Sequence, residues 1–137
     1  MDSARRDDVR ERAGHQCEYC RLPQSAQPWA RFHIEHVIPR QHGGSDEADN
    51  LCLACGHCNR HKGPNVASID AVTQRLTRLF DPRRDKWTDH FEFASNLVVG
   101  RTEEGRVTVA LLKMNAPNRV QLRVELASEA READGGV

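Results

Sequence analysis

Two Cys-x-x-Cys pairs, Cys17/Cys20 and Cys55/Cys58, constrain this chain more than any other feature. Thiolates three positions apart can grip one side of a cation, and two such pairs complete the tetrahedral set that Zn²⁺ favours in structural sites. The segment they would close, residues 21–54, is longer than the loop of a common zinc ribbon, so an independent unit has to fit inside it. A site with four thiolates has no open coordination position, which gives this zinc a scaffold role and no part in catalysis. Disulfide bonding is the competing use. Five cysteines are too few for a disulfide scaffold, and without a secretory leader a reducing compartment is the expectation. Cys52, between Leu51 and Leu53, reads as a small buried hydrophobe.

With 137 residues the chain amounts to one domain's worth, which excludes a multidomain machine. No apolar stretch is long enough to span a membrane, so a cytoplasmic protein without a membrane partner is expected. The formal net charge is zero, which taken alone argues against holding nucleic acid by a global basic field. That neutrality is an average. Residues 1–54 carry seven Lys/Arg against nine Asp/Glu, residues 55–86 seven against three, and residues 87–137 six against eight. Histidine is also clustered: His33, His36, His42, His57 and His61 are five of the seven.

The order of elements is α+β. Ser3 to Gly14 reads as a short helix, with Ser3 as candidate N-cap and Gly14 as terminator. Arg31–Ile38 alternates and stops at Pro39, the signature of a strand, and Leu51–Leu53 is a second, short strand. Cys55–Lys62 reads as a helix stopped by Gly63-Pro64. Ile69–Phe80 fits either a helical stripe or a turn followed by a strand over 75–80. A strand is expected over 96–99, then helices over 102–114 and 117–129, the second with Pro117 in its first turn. A frayed tail is expected over 130–137. Three segments follow: 1–16 as a helix or leader, 17–66 as the core, and 67–137 as an extension packed on it.

Inside the zinc-closed loop and its second hook stand His33-Ile34-Glu35-His36-Val37-Ile38-Pro39, Gly43-Gly44, Asn50-Leu51 and Cys55-Gly56-His57-Cys58-Asn59-Arg60-His61-Lys62. Over about Cys17 to Pro64 the chain resembles the HNH endonucleases. That family has an acidic residue and His near the end of a strand, a Gly-rich loop, a central Asn-Leu, and a Cys-x-x-Cys-Asn-x-x-Lys helix. The stretch from Leu79 to Phe91 also resembles the C-terminal extension of one bacterial branch. The resemblance implies a small ββα-metal nuclease core stapled by a four-cysteine zinc site, with a C-terminal extension of a strand and helices. It makes His36 the general base that takes a proton from water, a task suited to imidazole near neutral pH. Glu35 and Asn59 become ligands of a catalytic cation that stabilises the leaving 3′ oxygen. Asn50 would orient the loop that bears His36, and Arg60 and Lys62 would contact phosphate. Carboxylate and amide oxygens suit Mg²⁺ or Mn²⁺ better than Zn²⁺. Glu35 stands where the family more often has Asp, and Asn59 where it often has His. His33 shares a strand face with Glu35, and His61 follows Arg60, so both are candidate metal or phosphate contacts.

The implied activity is metal-dependent hydrolysis of phosphodiester bonds in nucleic acid, with double-stranded DNA the expected partner. A single active site cutting both strands calls for a homodimer or two successive events. Two rivals remain open at this point. A zinc deaminase would use His33, Cys55 and Cys58 on a catalytic zinc with Glu35 as proton shuttle, but Ala54 stands where that signature has Pro, and Cys17 and Cys20 would be idle. A zinc-stapled nucleic-acid-binding module would carry the histidines without catalysis. Arg75, Arg78, Arg83, Arg84 and Lys86 could track a phosphate backbone or be a solvated face. Trp87 and Phe91 could stack on bases, although their spacing favours core.

Overall fold

Asp2, rather than Ser3, starts the first helix. Its carboxylate accepts from Arg5 N–H at 2.8 Å and caps α1 (Ser3–Arg12). Gly14 ends it at φ +66, a left-handed conformation that costs glycine nothing. Helix α1 is fastened across the next two strands by its own arginines. Arg10 donates to Phe32 O at 2.9 Å, and Arg12 to Ala48 O and Leu51 O at 2.9 and 2.6 Å. The computed structural model describes residues 1–135.

Strand β1 (His33–His36) pairs antiparallel with β2 (Leu51–Ala54), placing Glu35 opposite Cys52 and His36 opposite Leu51. β1 is shorter than its alternation predicts because Ile38 N–H turns to the Asn50 side chain instead of a neighbouring strand. Helix α2 (Gly56–Lys62) follows directly, with the Cys55 thiol at its N-cap. These three elements are the expected ββα unit.

The ambiguous stretch after it resolves into a hairpin, β3 (Ala67–Ile69) with β4 (Leu76–Arg78). Asp70 decides the matter. Its carboxylate accepts Thr73 N–H and Oγ1–H at 3.0 and 2.9 Å, which makes a turn where a helix would otherwise continue. A short helix α3 (Trp87–His90) leads to a second hairpin, β5 (Phe91–Ala94) with β6 (Leu97–Gly100). Helix α4 (Glu103–Leu111) is capped by Thr102 and stops before the expected Met114. Helix α5 (Pro117–Gly135) runs on through the tail expected to fray; Gly136 and Val137 lie outside the described residues.

One buried cluster draws on all parts of the chain, from Val9 and Tyr19 through Phe32 and Leu51 to Phe91 and Leu112. Trp87 and Phe91 belong to it, with ring centroids 5.0 Å apart, so the spacing argument for core holds. Among the described residues, no helix is long and apolar enough to cross a membrane.

Candidate active site and metal centre

The two cysteine hooks converge. The sulfurs of Cys17, Cys20, Cys55 and Cys58 all lie within 4.8 Å of one another, and all four residues are buried. Each hook folds its second N–H onto its first sulfur: Cys20 N to Cys17 Sγ at 3.5 Å, and Cys58 N to Cys55 Sγ at 3.4 Å. Arg119, buried on α5, donates to Cys55 Sγ at 3.5 Å. Burial pushes the Cys17 thiol up, whereas hydrogen bonds from Cys17, Cys20 and Cys58 hold Cys55 strongly down as a thiolate. Four thiolates in so small a buried volume need a divalent charge to ionise together, so the donor set fits a metal such as zinc. Cys52 is not part of it. Its S–H donates to Tyr19 Oη at 3.7 Å, and burial raises it to about 12.

The histidine sits at the end of β1. His36 Nε2 is 2.7 Å from Asp46 Oδ1, and because a carboxylate can only accept, that contact fixes the proton on Nε2 and leaves the Nδ1 lone pair free in the neutral ring. Asp46 is itself clamped by Arg40, which reaches Oδ1 and Oδ2 at 2.8 Å. Bonds from His36 and then Arg40 hold the Asp46 carboxyl below its ordinary range. Asn50 ties the loop between the strands. Its Oδ1 accepts Ile38 N–H, and its Nδ2 donates to Ile38 O and Ser45 O, all at 2.8–2.9 Å. Gly44 makes that closure possible, since a Cβ there would fall 1.6 Å from Ile38 O.

Glu35 points into the other side of the unit. Its Oε1 accepts from Lys62 Nζ at 3.2 Å, and the same ammonium donates to His36 O at 3.3 Å. Lys62 is 1% exposed, so its ammonium braces β1 from within instead of facing outward to the expected phosphate. Burial raises the Glu35 carboxyl and Lys62 only partly offsets that. Glu35 Oε2 takes no hydrogen bond from the described residues, so one hard oxygen remains for a cation. Asn59 is one turn before Lys62 on α2, and its side chain forms no hydrogen bond among the described residues. Glu35 and His36 line one open cleft of about 480 Å³ with Ile34, Arg40, Gln41 and Pro64.

The remaining candidates scatter. His33 is exposed on the Glu35 face of β1, near the start of α2. Arg60 is exposed and free of ion pairs among the described residues. His61 packs against His57 with centroids 4.4 Å apart and planes inclined by 59°, and His57 Nε2 bonds Lys113 O at 2.8 Å, which directs that face of α2 toward the extension. The basic middle is largely neutralised internally. Arg75 pairs with Glu103, Arg78 with Asp85, Arg83 with Glu18 and Arg84 with Asp81, so these arginines fasten hairpin and extension together more than they track a backbone. The deaminase set does not assemble: Cys55 and Cys58 join Cys17 and Cys20, while His33 stays on the strand.

Residues 17–65 match the profile of the HNH endonuclease family. Over those 49 of the 137 residues the chain is similar to an HNH endonuclease domain. No curated protein and no solved structure matches the chain. The HNH match and the four converging cysteines together fit the zinc-stapled type, and the family implies nuclease activity on nucleic acid. Around the two sites, sequence reading missed Asp46, Arg40 and, on α5, Arg119. The first had a faint signal, an acid just past Gly43-Gly44, but nothing local says that a loop will fold it back onto a strand ten residues earlier. Arg119 had none, being an arginine on a helix of the extension.

Proposed function

We propose that the protein is a metal-dependent endonuclease that cleaves double-stranded DNA at the His36 cleft. The observation that carries this reading is the contact of His36 Nε2 with Asp46 Oδ1 at 2.7 Å, in a cleft that Glu35 also lines. An imidazole anchored through Nε2 presents Nδ1 as the proton acceptor in a fixed orientation, as an orienting carboxylate does for a histidine base. Asp46 also stabilises the imidazolium that forms. His36 Nδ1 takes a proton from water as the oxygen attacks phosphorus. The bond from phosphorus to the 3′ oxygen breaks, and a proton returns to that oxygen from solvent. The products are a 5′-phosphate and a 3′-hydroxyl. A hard cation of the Mg²⁺ or Mn²⁺ class on Glu35 and Asn59 would supply charge stabilisation at the phosphate and at the leaving oxygen. Asn50 holds the loop from Ile38 to Ser45 closed, so that Asp46 meets His36. Arg60, His33 and His61 stand as candidate nucleic-acid contacts outside the lining of the cleft. The four cysteines hold zinc for structure, residues 67–137 brace the unit, and cutting both strands takes a homodimer or two successive visits.

Incubation of zinc-loaded protein with supercoiled plasmid and Mg²⁺ or Mn²⁺ tests the reading. Wild type is expected to nick and His36→Ala to lose at least a hundredfold in rate, of the order of a general base's contribution. Mapping the ends on defined oligonucleotides should give 5′-phosphates. Tight binding with no cleavage by wild type in either metal would favour a binding module instead, and 3′-phosphate ends would overturn the polarity.

A further inference from the structure

Trp29 is 78% exposed, more than any other large apolar side chain among the described residues. The loop that carries it is not loose. Gln24 Nε2 donates to Gln27 O and Ala30 O at 3.0 Å, and Gln24 Oε1 accepts Phe32 N–H at 2.7 Å, so one buttressing side chain fixes the backbone on both sides of the indole. Arg10, His15, Gln24, Pro28, Arg31 and Leu53 line a cleft of about 270 Å³ beside it. Three of these are basic and none is a carboxylate.

No carboxylate lines that cleft. Arg10 gives one N–H to Phe32 O, and its buried Nε–H meets no acceptor. Among the described residues, neither Arg10 nor Arg31 forms an ion pair. Arg10 and Arg31 line the same cleft, and burial and then Arg31 lower Arg10 from its ordinary value, with Asp7 opposing. This contrasts with Arg75, Arg78 and Arg83, each held by a carboxylate. Two guanidiniums with free N–H groups suit a phosphate, and an exposed indole on a rigid loop suits the face of a base.

We propose that Arg10, Arg31 and Trp29 form a subsite for one unpaired nucleotide of the nucleic-acid substrate, with its phosphate on the two arginines and its base stacked on Trp29. The proposal rests on the nuclease reading and extends it to a named contact away from the cleft. The location is suitable. Arg5 on α1 donates to Asp46 O at 2.8 Å, beside His36, and the five residues from Arg5 to Arg10 rise by about 7.5 Å, roughly two base steps along a strand. Helix α1 thus touches both regions, at Asp46 through Arg5 and at the cleft beside Trp29 through Arg10.

The test uses the full, zinc-loaded chain carrying His36→Ala, so that bound strand stays intact, and a fluorescein-labelled ten-nucleotide oligothymidylate. Anisotropy reports binding and tryptophan emission reports stacking, since the only other tryptophan, Trp87, is buried with its N–H on Tyr19 O. The oligonucleotide is expected to quench emission in the parent and not in Trp29→Phe. Arg31→Ala is expected to weaken binding at least fivefold and to reduce the salt slope by about 0.7, one single-strand phosphate contact. Both side chains are exposed, and unchanged zinc content and near-ultraviolet dichroism will show that the variants fold. Binding without quenching, or an Arg31→Ala slope equal to the parent's, overturns the subsite and leaves the nuclease reading standing. No binding by the parent, together with no nicking by wild type, overturns both.

Discussion

At the scale of single residues, the pair formed by Glu35 and Lys62 is the most exacting feature of the site. Lys62 is fully buried and Glu35 nearly so, and the ammonium also caps His36 O. Removing one member of such a pair strands the other charge in a low-dielectric setting, at a cost of about 3–5 kcal/mol. Lys62→Met should therefore destabilise the fold by that order, read as a drop in the urea midpoint, and Glu35→Gln/Lys62→Met should recover much of the loss. If Lys62→Met unfolds at the wild-type midpoint, the pair carries no such weight. Asp46 acts differently, because its carboxylate is partly open to water and meets only His36 and Arg40. Asp46→Asn should keep zinc content and stability yet lower the nicking rate at least tenfold, roughly the least expected when a histidine base loses its orienting carboxylate. A rate equal to wild type would remove Asp46 from the mechanism.

At the scale of elements, what could be read in advance is what neighbours in the chain determine. Cys17/Cys20 and Cys55/Cys58 announce a metal because the ligands sit three apart. Pro39 and Gly63 mark the ends of β1 and α2, and the turn from Asn50 into Leu51 places β2. The hairpins were harder. Ile69, Val72 and Leu76 mimic a helical stripe, yet all three are exposed, and the β3–β4 turn exists because Asp70 binds Thr73 and is met by Arg106 of α4, thirty-six residues away. No local period encodes that meeting. β5 was hidden for a similar reason: Phe91 and Phe93 follow Trp87 so closely that helix and strand spacing cannot be separated. The zinc unit gives the sharpest test at this scale. Cys55→Ser removes a ligand that is also the N-cap of α2, so it should lose bound zinc and the cooperative thermal transition, checked by metal content and circular dichroism. A strong chelator should do the same to wild type, reversibly, since structural zinc contributes on the order of 10–16 kcal/mol to folds of this kind. Retention of a cooperative transition without zinc would mean that the hydrophobic cluster suffices.

At the scale of the whole molecule, the zero net charge comes to be a statement about internal pairing. Arg106 Nε and Nη2 reach the two oxygens of Asp70 at 3.1 and 3.0 Å, and Glu103 collects Arg75, Thr73 and Thr77, so α4 and the first hairpin are joined by charge as well as by packing. Hydrogen bonds from Arg106 first, and from Thr73, hold the Asp70 carboxyl well below its ordinary value against the effect of burial. A carboxyl depressed in the fold binds fewer protons folded than unfolded. Its contribution to stability is therefore complete above the ordinary aspartate value of about 3.9 and is lost as pH falls below it. Glu35 works in the opposite sense, because its raised carboxyl favours the fold most when protonated and that contribution declines as pH rises through its folded value. The acid limb thus belongs to Asp70, joined by Asp46 and by Asp85, whose bonds from Arg78 and Asp81 N–H outweigh its burial. Asp70→Asn should be less stable than wild type near neutrality, its urea midpoint should fall less steeply between about pH 4 and pH 2, and the two curves should converge at the acid end, where wild-type Asp70 is itself neutral. Parallel curves across that window would show that acid lability arises elsewhere, and that the bond from hairpin to helix is held by packing alone.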